Sequence, residues 1–142
     1  MSRPTRILRI GIASRDQVRD RMRAVARGEL RPKPDDPKIW FTSIESLAQV
    51  LSTRNRELLE IIRRTNPASL QDLAARSGRR VSNLSRTLRT MERYGLIRLD
   101  RRGARIAPKV GFDRISLDVR LDGGPATPSR RRIRTGRELV DA

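Results

Sequence analysis

The chain of 142 residues contains no cysteine and no histidine. These two absences exclude disulfides, thiolate nucleophiles, histidine general bases and zinc fingers, together with the usual transition-metal sites. Carboxylates are the acid or base groups that are left, and they are scattered along the chain. The sequence therefore predicts a protein that is not an enzyme and that uses no metal and no cofactor.

Aromatic residues and long apolar runs are also scarce. Aromatic side chains make up 3% of the chain, so few bulky groups are available for a core. No apolar run approaches the length that spans a bilayer, and the N-terminus lacks the apolar segment of a signal peptide. We therefore expect one domain with appendages, located in the cytoplasm and without a membrane partner.

Negative charge is the third scarcity. The chain has 16 acidic residues against 33 lysines and arginines, which gives a formal charge of +17. Such an excess indicates a polyanionic partner, with nucleic acid as the leading candidate. Nearly all of the cations are arginines, whose planar guanidinium suits bidentate binding of phosphate and guanine. GC-rich codon usage explains the preference for arginine over lysine equally well, but it does not explain the net charge.

The stretch from Ser69 to Pro108 carries the clearest pattern, and its first part predicts a short helix. Ser69 and Asp72 have the spacing of a capping box, which satisfies free N–H groups in the first helical turn. Leu70, Leu73 and Ala74 supply the buried side of this helix. Gly78 follows directly and favours the left-handed backbone that ends a helix. A second helix is expected immediately after this turn.

The second helix is predicted from its apolar period. Val81, Leu84, Leu88 and Met91 recur at steps of three and four residues, which places them on one side of a helix that Gly95 ends. The other sides carry short polar groups and guanidinium groups, a mixture that suits the DNA major groove. The candidate base contacts are Ser82, Asn83, Ser85, Arg86 and Arg89.

A basic β-hairpin is predicted next. Short strands at Leu96–Leu99 and Ala104–Ala107 flank a polar turn from Asp100 to Gly103. Between residues 67 and 110, eleven cationic and three acidic residues leave a net charge of +8 on the same stretch that carries the helix pattern. The candidate phosphate contacts are Arg79, Arg80, Arg101, Arg102 and Arg105, with Arg54, Arg56 and Arg98 as further cations.

The order LAARSG, then a helix bearing Ser, Asn and Arg, then MERYGLI and a hairpin wing resembles the MarR-like winged helix-turn-helix regulators. This resemblance implies a sequence-specific regulator of transcription, typically a repressor, that binds double-stranded DNA as a homodimer. Many relatives have Ser or Asp as the helix cap where Arg80 stands. Either Ser82 caps a helix that begins later, or a phosphate binds at this position.

The segment WFTSIESLAQVLSTRNRELLEII resembles a subgroup of MarR-like regulators described as antitoxins. This resemblance implies an alternative function, in which a terminal segment binds a cognate toxin and the winged helix represses the protein's own operon. Two further alternatives stay open at this point. They are general RNA or ribosome binding, as expected for a basic chain with an arginine-rich tail, and a helix-turn-helix that docks another protein.

The fold class expected for the whole chain is mainly α with a small β component, α+β. The expected parts are a strand-helix extension (1–30), a proline-rich linker (31–42), the winged helix-turn-helix domain (43–110), a C-terminal strand (111–122) and a disordered arginine-rich tail (123–142). The strand at Arg6–Ala13 is expected to pair with the C-terminal strand, whose alternating apolar residues predict one buried face. These residues are Ile115, Leu117, Val119 and Leu121.

Several local expectations complete the sequence analysis. Ser14 and Gln17 form a capping box for a helix whose apolar stripe is Val18, Met22 and Val25. Asp35 and Asp36 are expected to be solvated, and Trp40 and Phe41 to anchor the linker on the core. A helix from Ser43 and a second one capped by Thr53 are expected to complete the core, the second ending at Asn66. The apolar residues assigned to these two helices are Ile44, Leu47, Ala48, Leu51, Leu58, Leu59, Ile61 and Ile62.

Overall fold

The computed structural model of the chain describes residues 4–121 and has a mixed α+β architecture. By their contacts, residues 4–8 and 44–116 form one compact unit, and residues 9–43 and 117–121 form another. No helix within the described range is long and apolar enough to cross a membrane. The elements in chain order are β1 (Ile7–Ile12), α1 (Arg15–Ala26), β2 (Ile39–Phe41), α2 (Ile44–Val50), α3 (Thr53–Thr65), α4 (Leu70–Ser77), α5 (Val81–Arg93), β3 (Arg98–Arg102), β4 (Arg105–Lys109) and β5 (Arg114–Asp118).

Helix α3 lies at the centre of the first unit's core. Leu58, Leu59 and Ile62 are buried, as the apolar period predicts. The cap is Ser52, whose hydroxyl accepts a hydrogen bond from the Asn55 backbone N–H, so the expectation that Thr53 caps this helix was wrong. Thr53 instead forms the first helical residue. The helix ends at Asn66, which takes the left-handed backbone that asparagine tolerates better than most residues.

Helix α2 is the weakest of the helical expectations. Of its apolar residues only Leu47 is buried, whereas Ile44 and Ala48 are exposed. Helix α2 has seven residues, or about two turns, and buries one leucine. It therefore lacks the wide apolar face that the sequence predicts.

Helices α4 and α5 form the predicted pair. The Ser69 hydroxyl accepts from the Asp72 N–H at 3.0 Å, while the Asp72 carboxylate accepts from the N–H of Ala68, one residue before the cap. This second bond is the largest cause of the lowered pKa of Asp72. Burial opposes it, and Arg76 adds to it. Gly78 ends α4 with φ of 75°, as expected.

The hairpin has longer strands and a shorter turn than the sequence predicts. Strands β3 and β4 are antiparallel, and Arg102 lies opposite Arg105, so only Gly103 and Ala104 form the loop. Gly103 has a positive φ and Ala104 does not, as in a type II′ turn. Of the expected turn from Asp100 to Gly103, only Gly103 lies in the loop, and the other three residues belong to β3. Asp100, Arg101 and Arg102 were assigned to the turn because their side chains are polar, although their backbone belongs to β3.

The second sheet has three strands in the order β2-β1-β5. Strand β2 runs parallel to β1, with Ile10 opposite Ile39 and Ile12 opposite Phe41. It lies inside the stretch assigned to a proline-rich linker, and three residues are too few for a sequence period to reveal. The C-terminal strand is confirmed but is shorter than expected. The expectation of a disordered tail at 123–142 concerns residues outside the described range.

The apolar stripe predicted for α1 was wrong. The Ser14–Gln17 capping box is present in both directions. However, Met22 and Val25 are exposed, and the buried residues of the helix are Arg21 and Ala24. Ser14 sets the start of the helix but does not determine which of its faces is buried.

The C-terminal strand also departs from its expected burial. Leu117 and Val119 are more than 40% exposed, and Leu121 is 99% exposed. The alternation of apolar residues correctly indicates a strand, but three of the four apolar residues do not contribute to the core. Only Ile115 is half-buried.

An ion pair between Arg21 and Asp36 explains the burial of Arg21. The guanidinium donates to the Asp36 carboxylate at 3.0 Å and lies 5.8 Å from the centre of the Trp40 ring. The same carboxylate oxygen accepts from the Lys33 backbone N–H at 2.8 Å. The expectation that Asp36 is solvated was therefore wrong, whereas its neighbour Asp35 is exposed.

Trp40 and Phe41 anchor this region, as predicted. Phe41 is 1% exposed. The Trp40 ring lies directly on Gly11, where an added Cβ atom would approach two ring atoms at 2.3 and 2.6 Å. The absence of a side chain at Gly11 therefore creates the space that the indole ring occupies.

Candidate nucleic-acid interface

Helix α5 has a buried side and a basic side. Leu84, Leu88 and Met91 are at most 1% exposed and hold the helix against the core. With 100° between successive residues, Ser82, Arg86, Arg89 and Arg93 lie on the opposite side. All four are exposed, whereas Asn83 and Ser85 lie on the two flanks, the first exposed and the second half-buried. Of the five candidate base contacts, three therefore share one face.

The guanidinium groups on this face are not engaged by neighbours. Within residues 4–121, the side chains of Arg80, Arg86 and Arg89 make no hydrogen bond or ion pair. By contrast, Arg76 on α4 donates to Asp72 at 3.0 Å. A solvated guanidinium without an acidic neighbour keeps all its donors available for an external anion or base edge.

Helix α5 begins at Val81, with Arg80 as its cap residue and no side-chain hydrogen bond at the cap. A later helix start with Ser82 as the cap is therefore wrong. The first N–H groups of α5 have no side-chain acceptor at the cap, and the helix dipole makes this end partly positive.

The two faces of the hairpin differ in charge. Alternate residues of a strand point to opposite faces, so Arg98, Asp100 and Arg102 share a face with their partners Lys109, Ala107 and Arg105. The other face contains the buried Leu99 and Pro108 and packs toward the core. Four cations and one acid therefore lie on the outer face, which we call the basic face of the wing.

Arg101, a candidate phosphate contact, lies on the other face of the wing. Its guanidinium pairs with the Glu92 carboxylate of α5 at 3.4 Å. This pair links α5 to β3. The side chains of Arg102 and Arg105 make no hydrogen bond or ion pair within the described range.

A cleft of about 300 Å³ lies beside the basic face of the wing. It is lined by Arg102, Arg105 and Lys109 together with Asp100, and by Asn66 from the end of α3. The Lys109 ammonium donates to the Asn66 side chain at 2.8 Å, which fixes the strand beside the helix end. Three cations against one acid make this cleft electropositive.

Residues 50–117 match the model of the HVO_A0114 family. The matched stretch is slightly less than half of the chain and runs from the last residue of α2 into β5. It contains all ten residues predicted to contact DNA. No curated protein and no solved structure matches the chain.

Within the HVO_A0114 match, Arg79 makes internal contacts that the sequence did not predict. Its guanidinium donates to the Asn55 side-chain oxygen at 3.4 Å and to the Thr87 hydroxyl at 3.3 Å. Asn55 also donates to the Val50 carbonyl at 2.9 Å. Arg79, a candidate phosphate contact, therefore links α3 to α5. These contacts join residues too far apart in sequence for helical or strand periodicity to predict them.

Burial lowers the pKa of Arg79, and the nearby charge of Arg54 lowers it further. Both causes show that the guanidinium is partly withdrawn from water and close to a second cation. Arg80, the next residue, is exposed by comparison. The two adjacent arginines thus occupy different environments at the start of α5.

Proposed function

We propose that the chain is a sequence-specific regulator of transcription that binds double-stranded DNA through a winged helix-turn-helix. The observation that supports this most strongly concerns the exposed guanidinium groups of Arg86 and Arg89, which make no hydrogen bond or ion pair with the part of the chain that the structure describes. They lie on the side of α5 opposite its buried leucines. The short helix α4, the Gly78 turn and the basic wing have the order that this motif requires.

In this proposal α5 enters the major groove. Arg86 and Arg89 bind guanine in bidentate fashion, Asn83 contacts adenine, and Ser82 and Ser85 contact a base or a phosphate. The basic face of the wing and Arg80 contact phosphates, which position the helix without reading sequence. A homodimer would place two such helices in successive major grooves, about 34 Å apart.

A second candidate function is that of an antitoxin that also represses its own operon. It is favoured by the exposed apolar side chains of the unit formed by residues 9–43 and 117–121, where Met22, Leu117 and Leu121 face solvent. Exposed apolar groups of this kind fit a protein partner better than DNA. Recovery of a small protein in fixed ratio from the native host supports this candidate, and recovery of DNA alone removes it.

The central experiment is selection of bound duplexes from a randomised DNA pool by the full-length protein. We expect enrichment of one motif, with inverted half-sites if the protein binds as a dimer. Affinities of the enriched duplex, a scrambled duplex and a single-stranded RNA of equal length are then measured by fluorescence anisotropy. Equal affinity for the two duplexes, or tighter binding of the RNA, would contradict the proposal.

We expect Arg102→Ala to weaken binding of the enriched and scrambled duplexes by equal factors. Arg102 lies on the basic face of the wing, and a phosphate contact carries no sequence information. Loss of one such contact reduces the slope of log affinity against log salt concentration by about one unit. Anisotropy titrations from low to moderate salt measure this slope.

Arg27→Ala is the matched control for this prediction. It removes the same charge from the end of α1, outside the proposed interface, where the side chain is exposed. Its salt slope should stay that of the wild type. A sequence-dependent loss for Arg102→Ala would instead assign this residue to a base edge.

A further inference from the structure

A small cavity of about 80 Å³ lies between α3 and the turn that joins α4 to α5. Its polar lining consists of Arg54, Glu57, Ser77 and Arg79, and its apolar lining of Leu58 and Ile61. We call this cavity the arginine notch. Its volume corresponds to two or three water molecules at about 30 Å³ each, which is also the scale of one tetrahedral oxyanion.

Arg79 carries an unsatisfied donor at this place. Its Nε atom is buried and has no hydrogen-bond partner among residues 4–121, while its two terminal nitrogens donate to the neutral oxygens of Asn55 and Thr87. No carboxylate within residues 4–121 forms an ion pair with this guanidinium. A partly buried cation without a counter-charge and with a free N–H is unfavourable, unless an external acceptor satisfies it.

Arg54 adds a second cation to the same notch. Its side chain is exposed, makes no hydrogen bond or ion pair within the described range, and lies close enough to act on Arg79 electrostatically. Two guanidinium groups that approach each other without an acid between them repel, and an anion between them converts this repulsion into attraction.

Ser77 and Glu57 complete the polar lining with opposite effects. The Ser77 hydroxyl oxygen accepts from the Arg79 backbone N–H at 3.3 Å, and its own proton is available to donate to an anion. Glu57 is exposed and makes no ion pair with either arginine, so its charge opposes the binding of an anion. The lining thus contains two cations and one hydroxyl donor but only one carboxylate. Its net positive charge favours binding of a monovalent or divalent anion.

We propose that the arginine notch binds one phosphate-type oxyanion, held by Arg54 and by the N–H groups of Arg79 that its bonds to Asn55 and Thr87 leave unused. A phosphate of the DNA backbone and free inorganic phosphate share this chemistry. The first source rests on the proposed DNA-binding function, whereas the second does not. A phosphate from either source would neutralise the positive charge of the notch. The notch lies beside the turn that precedes α5 and next to the hydrogen bonds by which Arg79 links α3 to α5.

The first arm of the test titrates the full-length protein with inorganic phosphate, and with chloride at matched ionic strength, and follows the arginine Nε–Hε signals by NMR. We expect phosphate, and not chloride, to shift the Arg79 signal, which Arg79→Lys identifies. Arg54→Gln should raise the phosphate Kd about tenfold, as expected for loss of a charge-assisted hydrogen bond. Glu57→Gln should lower the phosphate Kd.

Arg64→Gln is the matched control. Arg64 is exposed on the same helix, its side chain makes no hydrogen bond or ion pair within residues 4–121, and it lies ten residues beyond Arg54, about 15 Å along the axis. Its phosphate Kd should stay within about twofold of the wild type, because only the general field of the protein changes.

The second arm measures the affinity of the same variants for the enriched duplex. If Arg54→Gln weakens binding of both inorganic phosphate and DNA, the notch binds phosphate from either source. If it weakens DNA binding alone, the notch binds a phosphate of the DNA backbone. If it weakens phosphate binding alone, the notch binds the free ion. Equal behaviour of Arg54→Gln and Arg64→Gln in both arms would overturn the proposal. Phosphate binding by a protein that binds no duplex would leave the notch in place and remove the DNA-binding function.

Discussion

Replacing Arg86 with alanine is expected to lower the affinity for the enriched duplex by about 1–3 kcal/mol, which is roughly five- to 150-fold. The loss for a scrambled duplex should be less than about threefold, because random DNA offers only a phosphate contact in place of a matched base. Arg86 lies in the first half of α5, opposite the buried Leu84 and Leu88, so its removal leaves the core intact. Anisotropy titrations with both duplexes at one salt concentration measure the two losses.

Arg93→Ala is the control for this prediction. Arg93 lies on the same side of α5 but in its last turn, and recognition helices contact bases mainly with their N-terminal residues. Its replacement should therefore weaken both duplexes alike. If Arg86→Ala also weakened both duplexes by one factor, Arg86 would be a phosphate contact and the assignment of the base-reading face would be wrong.

Replacing Asp36 with asparagine is expected to destabilise the protein by about 3 kcal/mol, because it leaves the Arg21 guanidinium buried without its counter-charge. Arg21 is 7% exposed, and Asp36 accepts from both Arg21 and the Lys33 backbone N–H. The sole tryptophan, Trp40, lies over the same guanidinium. Urea unfolding followed by Trp40 fluorescence therefore reports directly on this cluster.

The effect of Asp36 should depend on pH in one direction. Burial raises the pKa of Asp36, but the Lys33 N–H, the Arg21 guanidinium and the charge of Arg120 lower it by more, so the net pKa lies below its ordinary value. A carboxylate whose pKa is lowered in the folded state stabilises the protein fully at pH values above its ordinary pKa, about 3.9. This contribution is lost as the pH falls below that value. The difference between wild type and Asp36→Asn should therefore be constant near neutral pH and shrink in acid.

Asp35→Asn is the matched control at the adjacent position. Its carboxylate is 89% exposed and lies 3.9 Å from Arg9, so its replacement should change stability by less than about 0.5 kcal/mol. Equal destabilisation by the two variants would show that the Arg21–Asp36 pair is not what holds this region together.

Helices α4 and α5 and the turn between them could be predicted from the sequence because their signals are local. Ser69 caps α4, Gly78 ends it, and three apolar residues at helical spacing define the buried side of α5. Each of these signals acts within one or two helical turns. The exposed positions of Arg86 and Arg89 follow from the same spacing.

The remaining features depend on contacts between residues far apart in the chain. Arg21 takes the buried position on α1 because Asp36, fifteen residues later, supplies its counter-charge, and Met22 is turned outward as a result. Arg79 reaches Asn55 across 24 residues. The three residues of β2 have strand geometry through their pairing with β1, since a period cannot be recognised in so short a run.

The register of the wing places like charges directly opposite each other. Arg98 faces Lys109 and Arg102 faces Arg105, and such cross-strand pairs destabilise a hairpin. Asp100 offsets this only in part, through its 3.7 Å contact with Arg98. Repulsion between these cations therefore lowers the stability of the free hairpin, and bound counter-ions should raise it. Added salt is therefore expected to stabilise the free hairpin and to weaken the DNA binding proposed above, so one salt titration should show two effects of opposite sign.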